Sequence, residues 1–477
     1  MFMQYFREIS RIPRESGNTK PIQKYLVEFA ASHKLFCIVD SAGNVIIKKQ
    51  PSYGYEDDAS ILLQCHMDMV CVSEKEYDFS RDGIRLLMQE DFLYADGTSL
   101  GADNGIAMAY FLEILADNSI LHPPLEVAFT VDEETGMYGA LGMEMNLLES
   151  KYCINLDSER EGIIIMSSAG GIGCHIPLEL EYQISGGILV NLEIKGLQGG
   201  HSGVDIHKNR ENAILFLGRL LLKLKKKISY QVITLQGGTQ ANSIPKEACA
   251  QILIQPHQMK ELTEFMEHEL SGMKKEYQVR EPEISFAITD FQDYDGMVLT
   301  EACFHKILLM LVALPNGVQV MHQSIPDMVE SSVNLGMMKM DQEQICFTFS
   351  IRSSVNHYKE FIYDKLSYIA GVVQADCIIT SRYEAWEYDP DSKLRDIAVK
   401  CYYDLYEKEP KLEAIHAGLE CSIITNRIKN CDVISIGPDI MDVHTVHERV
   451  SINSAKRVFH YLVYLLEQLQ FDQNEND

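Results

Sequence analysis

What the chain lacks narrows it first. No Cys-x-x-Cys pair occurs, and the 12 cysteines are scattered through 477 residues. Several, such as Cys153, Cys346 and Cys431, sit in apolar runs where a thiol packs as a small hydrophobe. Neither a disulfide framework nor a cysteine zinc site is indicated. Basic residues are scarce: 42 Lys+Arg against 69 Asp+Glu leave a net charge of -27 at pH 7. That balance opposes binding to phosphate backbones or anionic membranes. No uncharged apolar run is long enough to span a bilayer, and the start, Met1-Phe2-Met3-Gln4-Tyr5-Phe6-Arg7-Glu8, lacks the charged-then-apolar order of a signal peptide. The expectation is a soluble, cytoplasmic protein with neither nucleic acid nor membrane as partner.

What is present fits a globular enzyme. Hydrophobic residues make up 46% and charged residues 23% of the chain, which is long enough for two or three domains. The first third alternates strand and helix patterns: strand 60–66, helix 103–116, strand 125–131 and strand 152–156. Such alternation predicts an α/β domain built on a largely parallel sheet. From about residue 183 the order becomes strand 188–194, helix 209–226, strands 231–235 and 249–254, helix 258–275 and strand 284–289. This is the ferredoxin-like β-α-β-β-α-β pattern. A partial echo follows over 299–382, so two related α+β units are expected, although no sequence repeat is visible. After Asp389-Pro390-Asp391 the α/β rhythm resumes. Residues 1–182 and 390–477 therefore form one expected domain, interrupted by a second at 183–389.

The chemistry concentrates where apolar strands end. Ile61-Leu62-Leu63 runs into His66-Met67-Asp68, and side chains two apart on a strand share a face. In open α/β sheets the C-terminal strand edge is where ligands sit. A carboxylate beside a metal-binding imidazole commonly orients it. Gly97-Thr98-Ser99-Leu100-Gly101-Ala102-Asp103-Asn104-Gly105 opens an apolar helix, and Asp103 reads either as its N-cap or as a ligand. Strand 125–131 ends in Asp132-Glu133-Glu134, three acids that are costly after a buried strand unless exposed or bound to metal. Tyr152-Cys153-Ile154-Asn155-Leu156-Asp157 closes on another acid, and near the far end His444 and His447 compete. His66, Asp103, Glu134, Asp157 and a late histidine supply two imidazoles and three carboxylates without thiolate. That donor set suits a hydrolytic zinc pair, with cobalt or manganese as substitutes.

These motifs closely resemble the cocatalytic zinc peptidases that include aminoacylase, carnosinase and bacterial dipeptidases, most nearly the aminoacyl-histidine (Xaa-His) dipeptidase group. The carrying stretches are His66–Cys71, Ala95–Gly105, Asp132–Gly136, Asn155–Glu159 and His416-Ala417-Gly418-Leu419-Glu420-Cys421. The resemblance implies two Zn2+ per chain, one on His66 and Asp157, the other on Glu134 and His444, with Asp103 bridging. It makes Asp68 the partner of His66 and Glu133 the general base. Related proteins carry His-Ser/Thr-Pro-Asp-Glu-Arg at the late ligand. Here the run is His444-Thr445-Val446-His447-Glu448-Arg449, so His447 replaces the usual acid and the loop's conformation becomes the open question.

The resemblance extends to the interrupting domain, which it makes a lid and dimerisation domain. His201 in Gly199-Gly200-His201-Ser202-Gly203 looks like the residue that polarises the scissile carbonyl, often from a partner subunit. Asn242 resembles a polar group aiding that step, Arg352 one that grips a substrate carboxylate through its planar fork, and Gly418 a substrate-binding position. The implied activity is hydrolysis of dipeptides, Xaa-His and others, by metal-activated water, in a homodimer. The alternatives are an N-acyl amino acid amidohydrolase or a tripeptidase using the same centre, or a peptide-binding relative without activity.

Overall fold

The computed structural model describes residues 2–323, 325 and 328–471. The chain divides into two compact units: Met1–Ser168, Tyr388–Ile415 and Leu419–Asp477 form the first, and Ala169–Glu387 with His416–Gly418 the second.

The first unit is a mixed α/β sandwich on an eight-stranded sheet. Leu125–Thr130, Ile61–His66, Tyr152–Asn155 and Asp432–Ser435 lie side by side and parallel at its centre. Phe36–Val39 and Val45–Lys49 extend one edge antiparallel, and Ile163–Ser168 with Lys411–Ile415 extend the other. Every residue of Ile61–His66 and Leu125–Thr130 is buried. This is why both read as unbroken apolar runs rather than alternating ones: helices cover both faces of a parallel sheet. The helix Ala102–Ala116 is buried almost all round, and Ile22, Leu26, Phe111, Leu394 and Leu462 close the same core. Tyr110 enters it with its hydroxyl donating to the Ala455 carbonyl at 2.6 Å, so its ring is buried without an unmet polar group. In this arrangement residues 66, 130 and 155 end together at one sheet edge.

The second unit carries a nine-stranded antiparallel sheet. Tyr182–Lys195, the helix Ala213–Lys225, Gln231–Gly237, Ala248–Ile254, the helix Met259–Tyr277 and Ser285–Leu299 form one β-α-β-β-α-β motif. Their strands lie in the order fourth, first, third, second, as a ferredoxin-like motif requires. A second motif with the same strand order in reverse continues the sheet: Gly170–Glu179, the helix Glu301–Ala313, Val329–Met340, Gln344–Ser353, the helix Asn356–Val372 and Ile378–Tyr383. The doubling is therefore topological, with the first motif inserted after the opening strand of the second.

That opening strand moves the expected domain boundary from 182/183 to 168/169. Gly170, Gly171, Gly173 and Pro177 disguise it as a turn-rich stretch. The glycines are there because the neighbouring strand lies close: a Cβ on Gly171 would come within 2.6 Å of the Tyr383 ring, and one on Gly170 within 2.6 Å of the Glu384 carbonyl carbon. The second boundary falls at 387/388 instead of 389/390, and His416–Gly418 belongs to the second unit although its chain neighbours belong to the first.

Gly170→Ala forces a Cβ onto backbone that cannot swing away, and should lower stability by about 1–3 kcal/mol. Gly272→Ala, in the middle of the helix Met259–Tyr277 with nothing within 4 Å of a new Cβ, should raise it by about 0.5–1 kcal/mol. Urea midpoints of the two variants check the opposite signs.

Candidate metal centre

Five of the predicted ligands converge at the sheet edge of the first unit. His66, the last residue of its strand, is buried, with Nε2 3.0 Å from Asp103 Oδ1 and 3.4 Å from Asp157 Oδ1. His444 Nε2 lies 3.3 Å from Asp103 Oδ2 and 3.0 Å from Glu134 Oε1. Asp103 thus presents one carboxylate oxygen to each histidine. It is not the helix cap: the N-cap is Gly101, at φ 66°, and residues 103 and 104 depart from helical geometry. The departure aims the Asp103 carboxylate out of the helix and into the cluster.

Part of the cluster is braced from behind. Asp68 accepts from the Ser16 hydroxyl at 2.7 Å and from the backbone N–H groups of Glu133 at 3.1 Å and Glu134 at 3.3 Å. Its Oδ1 lies 3.4 Å from His66 Nδ1. One buried carboxylate therefore touches the segments carrying His66, Glu133 and Glu134. Asp157 accepts from the Asn104 amide at 2.6 Å. Asn155 accepts from Asp157 N–H at 3.1 Å and donates to Gln64 at 2.6 Å, and Gln64 in turn donates to buried Glu420 at 2.5 Å. Thr130 also donates to Glu420, at 2.7 Å.

The electrostatics are those of an acid cluster short of positive charge. Burial drives the Glu133 carboxyl well above its usual range, and Asp157, Glu420 and Glu134 push it further. Burial likewise raises Asp157, with Asp103 and Glu134 adding to it. His444 is raised to about 11 by its bonds to Asp103 and Glu134. For His66, burial opposes the charged ring, yet Asp157, Asp103 and Asp68 outweigh it. Asp103 goes the other way: despite its burial, its bonds to His444 and His66 hold it well below the usual carboxylate range. A cluster that raises its imidazoles and leaves Glu133 and Asp157 raised is one that extra positive charge would stabilise. One ligand atom from each of His66, Asp103 and Glu134 lies within 4.8 Å of the other two. An oxygen- and nitrogen-rich set of this kind fits divalent cations.

Both late histidines are exposed, and it is His444 whose ring reaches Asp103 and Glu134. Glu133, beside Glu134, lies on the same turn after Leu125–Thr130, with its backbone N–H tied to Asp68.

The remaining predicted residues belong to the second unit. His201 pairs with Ser243 in a two-stranded ribbon. Its Nδ1 accepts from the N–H groups of Gly203 and Val204 at 3.2 and 3.3 Å, so Nε2 carries the proton. Burial and the nearby Arg352 charge lower its pKa and keep the ring neutral. Asn242 is exposed one turn away, its carbonyl accepting from Ser202 N–H at 2.8 Å. Arg352 has a buried Nε without a hydrogen-bond partner. His416, two residues before Gly418, lies 2.7 Å from the Ser332 hydroxyl, and burial together with Arg352 lowers its pKa to about 3.

Sequence reasoning assigned no role to several polar residues, although His416 and Glu420 stand in one of the stretches that carry the resemblance. Glu420 and Gln64 form a buried network behind the ligands. His416 and Ser332 stand with Arg352. Arg14 and Glu448 are both 2% exposed. The only signal for Glu448 is its place in the His444–Arg449 run, and Arg14 carries none.

Three comparisons converge on one family. The model of peptidase family M20/M25/M40 matches residues 62–468. The cytosol non-specific dipeptidase of Escherichia coli K12 is 33% identical over 469 residues, covering 98% of this chain and 96% of its own. The crystal structure of aminoacylhistidine dipeptidase from Vibrio alginolyticus superposes with a TM-score of 0.91 at 32% identity, covering 98% of this chain and 96% of that one. A tripeptidase from Staphylococcus aureus shares the fold at 15% identity, with a TM-score of 0.56 and coverage of 98% and 97%. The chain belongs to peptidase family M20/M25/M40.

Proposed function

We propose that this chain is a cytoplasmic di-zinc dipeptidase that hydrolyses Xaa-His and other dipeptides with little side-chain discrimination. The observation that carries the reading is Asp103, whose two oxygens face His66 and His444 at 3.0 and 3.3 Å, the disposition of a bridging carboxylate. The similarity to a cytosol non-specific dipeptidase and to an aminoacylhistidine dipeptidase over nearly the whole chain supports the substrate class. No helix among the described residues is long and apolar enough to cross a membrane.

In this reading His66 and Asp157 would hold one Zn2+ and Glu134 and His444 the other, with Asp103 shared between them and Co2+ or Mn2+ as substitutes. When bound, the cations lower the pKa of a water towards about 7 and stabilise the oxyanion that forms on the scissile carbonyl. Glu133 takes the proton from the attacking water and delivers it to the leaving amine. Asp68 keeps Glu133 in position through its backbone N–H, and holds the His66 ring with Nε2 turned to the cluster.

The second unit acts as the lid and dimerisation domain of a homodimer. His201, neutral with a proton on Nε2, can donate to the carbonyl oxygen of the peptide, and Asn242 assists it. Arg352 binds the free carboxylate of the substrate, with Gly418 lining that subsite. The unpartnered Nε of Arg352 is what supports this assignment. Recognition of a free carboxylate limits the substrate to short peptides.

Metal loading gives the first check. Zn2+ or Co2+ added to chelator-treated protein at about 100 times Kd should raise stability by about 2.7 kcal/mol for each occupied site. Asp103→Ala should remove most of that gain, and an unchanged melting temperature would contradict the ligand set. Glu133→Ala should keep both metals by elemental analysis and lose about 10²–10⁴-fold in kcat; undiminished turnover would refute the assigned base. Assayed on Ala-His, other dipeptides, a tripeptide and N-acetyl amino acids, the loaded enzyme should cleave the dipeptides. Cleavage confined to the tripeptide or the N-acetyl compounds would sink the dipeptidase reading.

A further inference from the structure

Glu448 and Arg14 are unused by the chemistry above, yet each is 2% exposed at the heart of the first unit. Glu448 Oε2 accepts from the N–H groups of Leu100 and Gly101, both at 2.9 Å. Its Oε1 accepts from Ala102 at 2.7 Å and from Asp103 at 3.3 Å. Four consecutive backbone donors at the start of the helix Ala102–Ala116 thus close on one carboxylate brought from a distant loop. The helix has no cap of its own, since Gly101 offers no side chain. A carboxylate here gains both from the orphan N–H groups and from the helix dipole. Four residues before Glu448, the same loop carries His444.

Arg14 holds the other side. Its guanidinium donates to the carbonyls of Met67 at 3.3 Å and Asp68 at 2.9 Å, and to the carbonyl of Gly101. Glu448, Asp68 and Asp103 all exert their charge on it. Room for the guanidinium is made by two glycines: a Cβ on Gly101 would collide with Arg14 Nη2 and with the Met69 sulfur, and one on Gly105 would lie 2.7 Å from the same nitrogen. Both glycines of the Gly101-x-x-x-Gly105 spacing are therefore explained by Arg14.

Three segments meet at this pair: Met67–Asp68, which continues from His66; Leu100–Asp103; and the loop from His444 to Glu448. We propose that Glu448 and Arg14 are positioning residues that set the spacing between the Asp103 bridge and His444, and so determine whether the cation held by Glu134 and His444 binds tightly. The His66 and Asp157 site leans less on Glu448, because both residues follow directly from neighbouring parallel strands; Arg14 braces both sites, since it also binds the Met67 and Asp68 carbonyls beside His66. The inference rests on the di-cation reading above.

The test is a Co2+ titration of the metal-free full chain, followed by calorimetry and by the visible absorption of the bound ion. Wild type should take two equivalents. Glu448→Gln replaces one acceptor oxygen by an NH2 group that faces backbone N–H. It should bind the first equivalent with wild-type affinity and the second about 10–100-fold more weakly, with the absorption of the second ion altered. Glu448→Asp keeps the carboxylate but is one methylene too short to reach all four N–H groups, and should give the same split should Glu448→Gln not fold. Two equivalents bound at wild-type affinity in either folded variant would overturn the proposal. So would equal weakening of both equivalents together with a lower metal-free melting temperature, which marks a purely structural role. A wild-type chain that takes fewer than two ions would instead refute the di-cation reading itself.

Discussion

Acidic side chains crowded around Asp103 are the constraint on which the first unit is organised. Glu133, Glu134 and Asp157 follow the ends of apolar strands and Asp103 opens a helix beside them, with His66 and His444 as the basic side chains they contact. Removing such groups from water is costly unless positive charge compensates them. Much of the surrounding structure answers that cost. Asp68 receives three hydrogen bonds, two of them from backbone N–H groups. Glu448 receives four backbone N–H groups, and Asp157 an amide proton from Asn104. The compensation left to be made is cationic and lies between the two histidines.

The parallel sheet makes this crowding possible. Strands Ile61–His66, Leu125–Thr130 and Tyr152–Asn155 run in register, so their C-terminal ends deliver His66, the Glu133–Glu134 turn and Asp157 to one edge. The helix Ala102–Ala116 supplies the fourth member only because its first turn departs from helical geometry. Rigid, fully buried strands hold part of the ligand set, and loops braced by buried charges hold the rest. That division is why a distant carboxylate such as Glu448, bonded to the Asp103 backbone, can bear on the proposed ligand His444 four residues before it.

Much of this was legible in the chain because strand-end acids after apolar runs leave a local signature. Glu134 and Asp157 stand out in that way and His66 ends such a run, whereas Asp103 opens a helix and reads equally as its N-cap; most elements lie within a few residues of their expected bounds. What stayed hidden depends on contacts between segments far apart in sequence. Arg14 and Glu448 both bind Gly101 from opposite ends of the chain, and nothing local distinguishes them from surface charges. The choice between His444 and His447 needed the loop's conformation, which brings the His444 ring to Glu134 and Asp103 while both histidines stay exposed. The strand Gly170–Glu179 was hidden for a different reason: its glycines serve the close approach of Ile378–Tyr383 and mimic a turn. The doubled motif in the second unit escaped as a sequence repeat because the two copies share strand order and helix placement, not residues.

The central claim is that Asp103 bridges two cations, and anomalous diffraction from crystals of the zinc-loaded chain tests it most directly. The account predicts two zinc peaks per chain, one against His66 and Asp157, the other against Glu134 and His444, each with one Asp103 oxygen. A single peak, or two peaks that do not share Asp103, would contradict it.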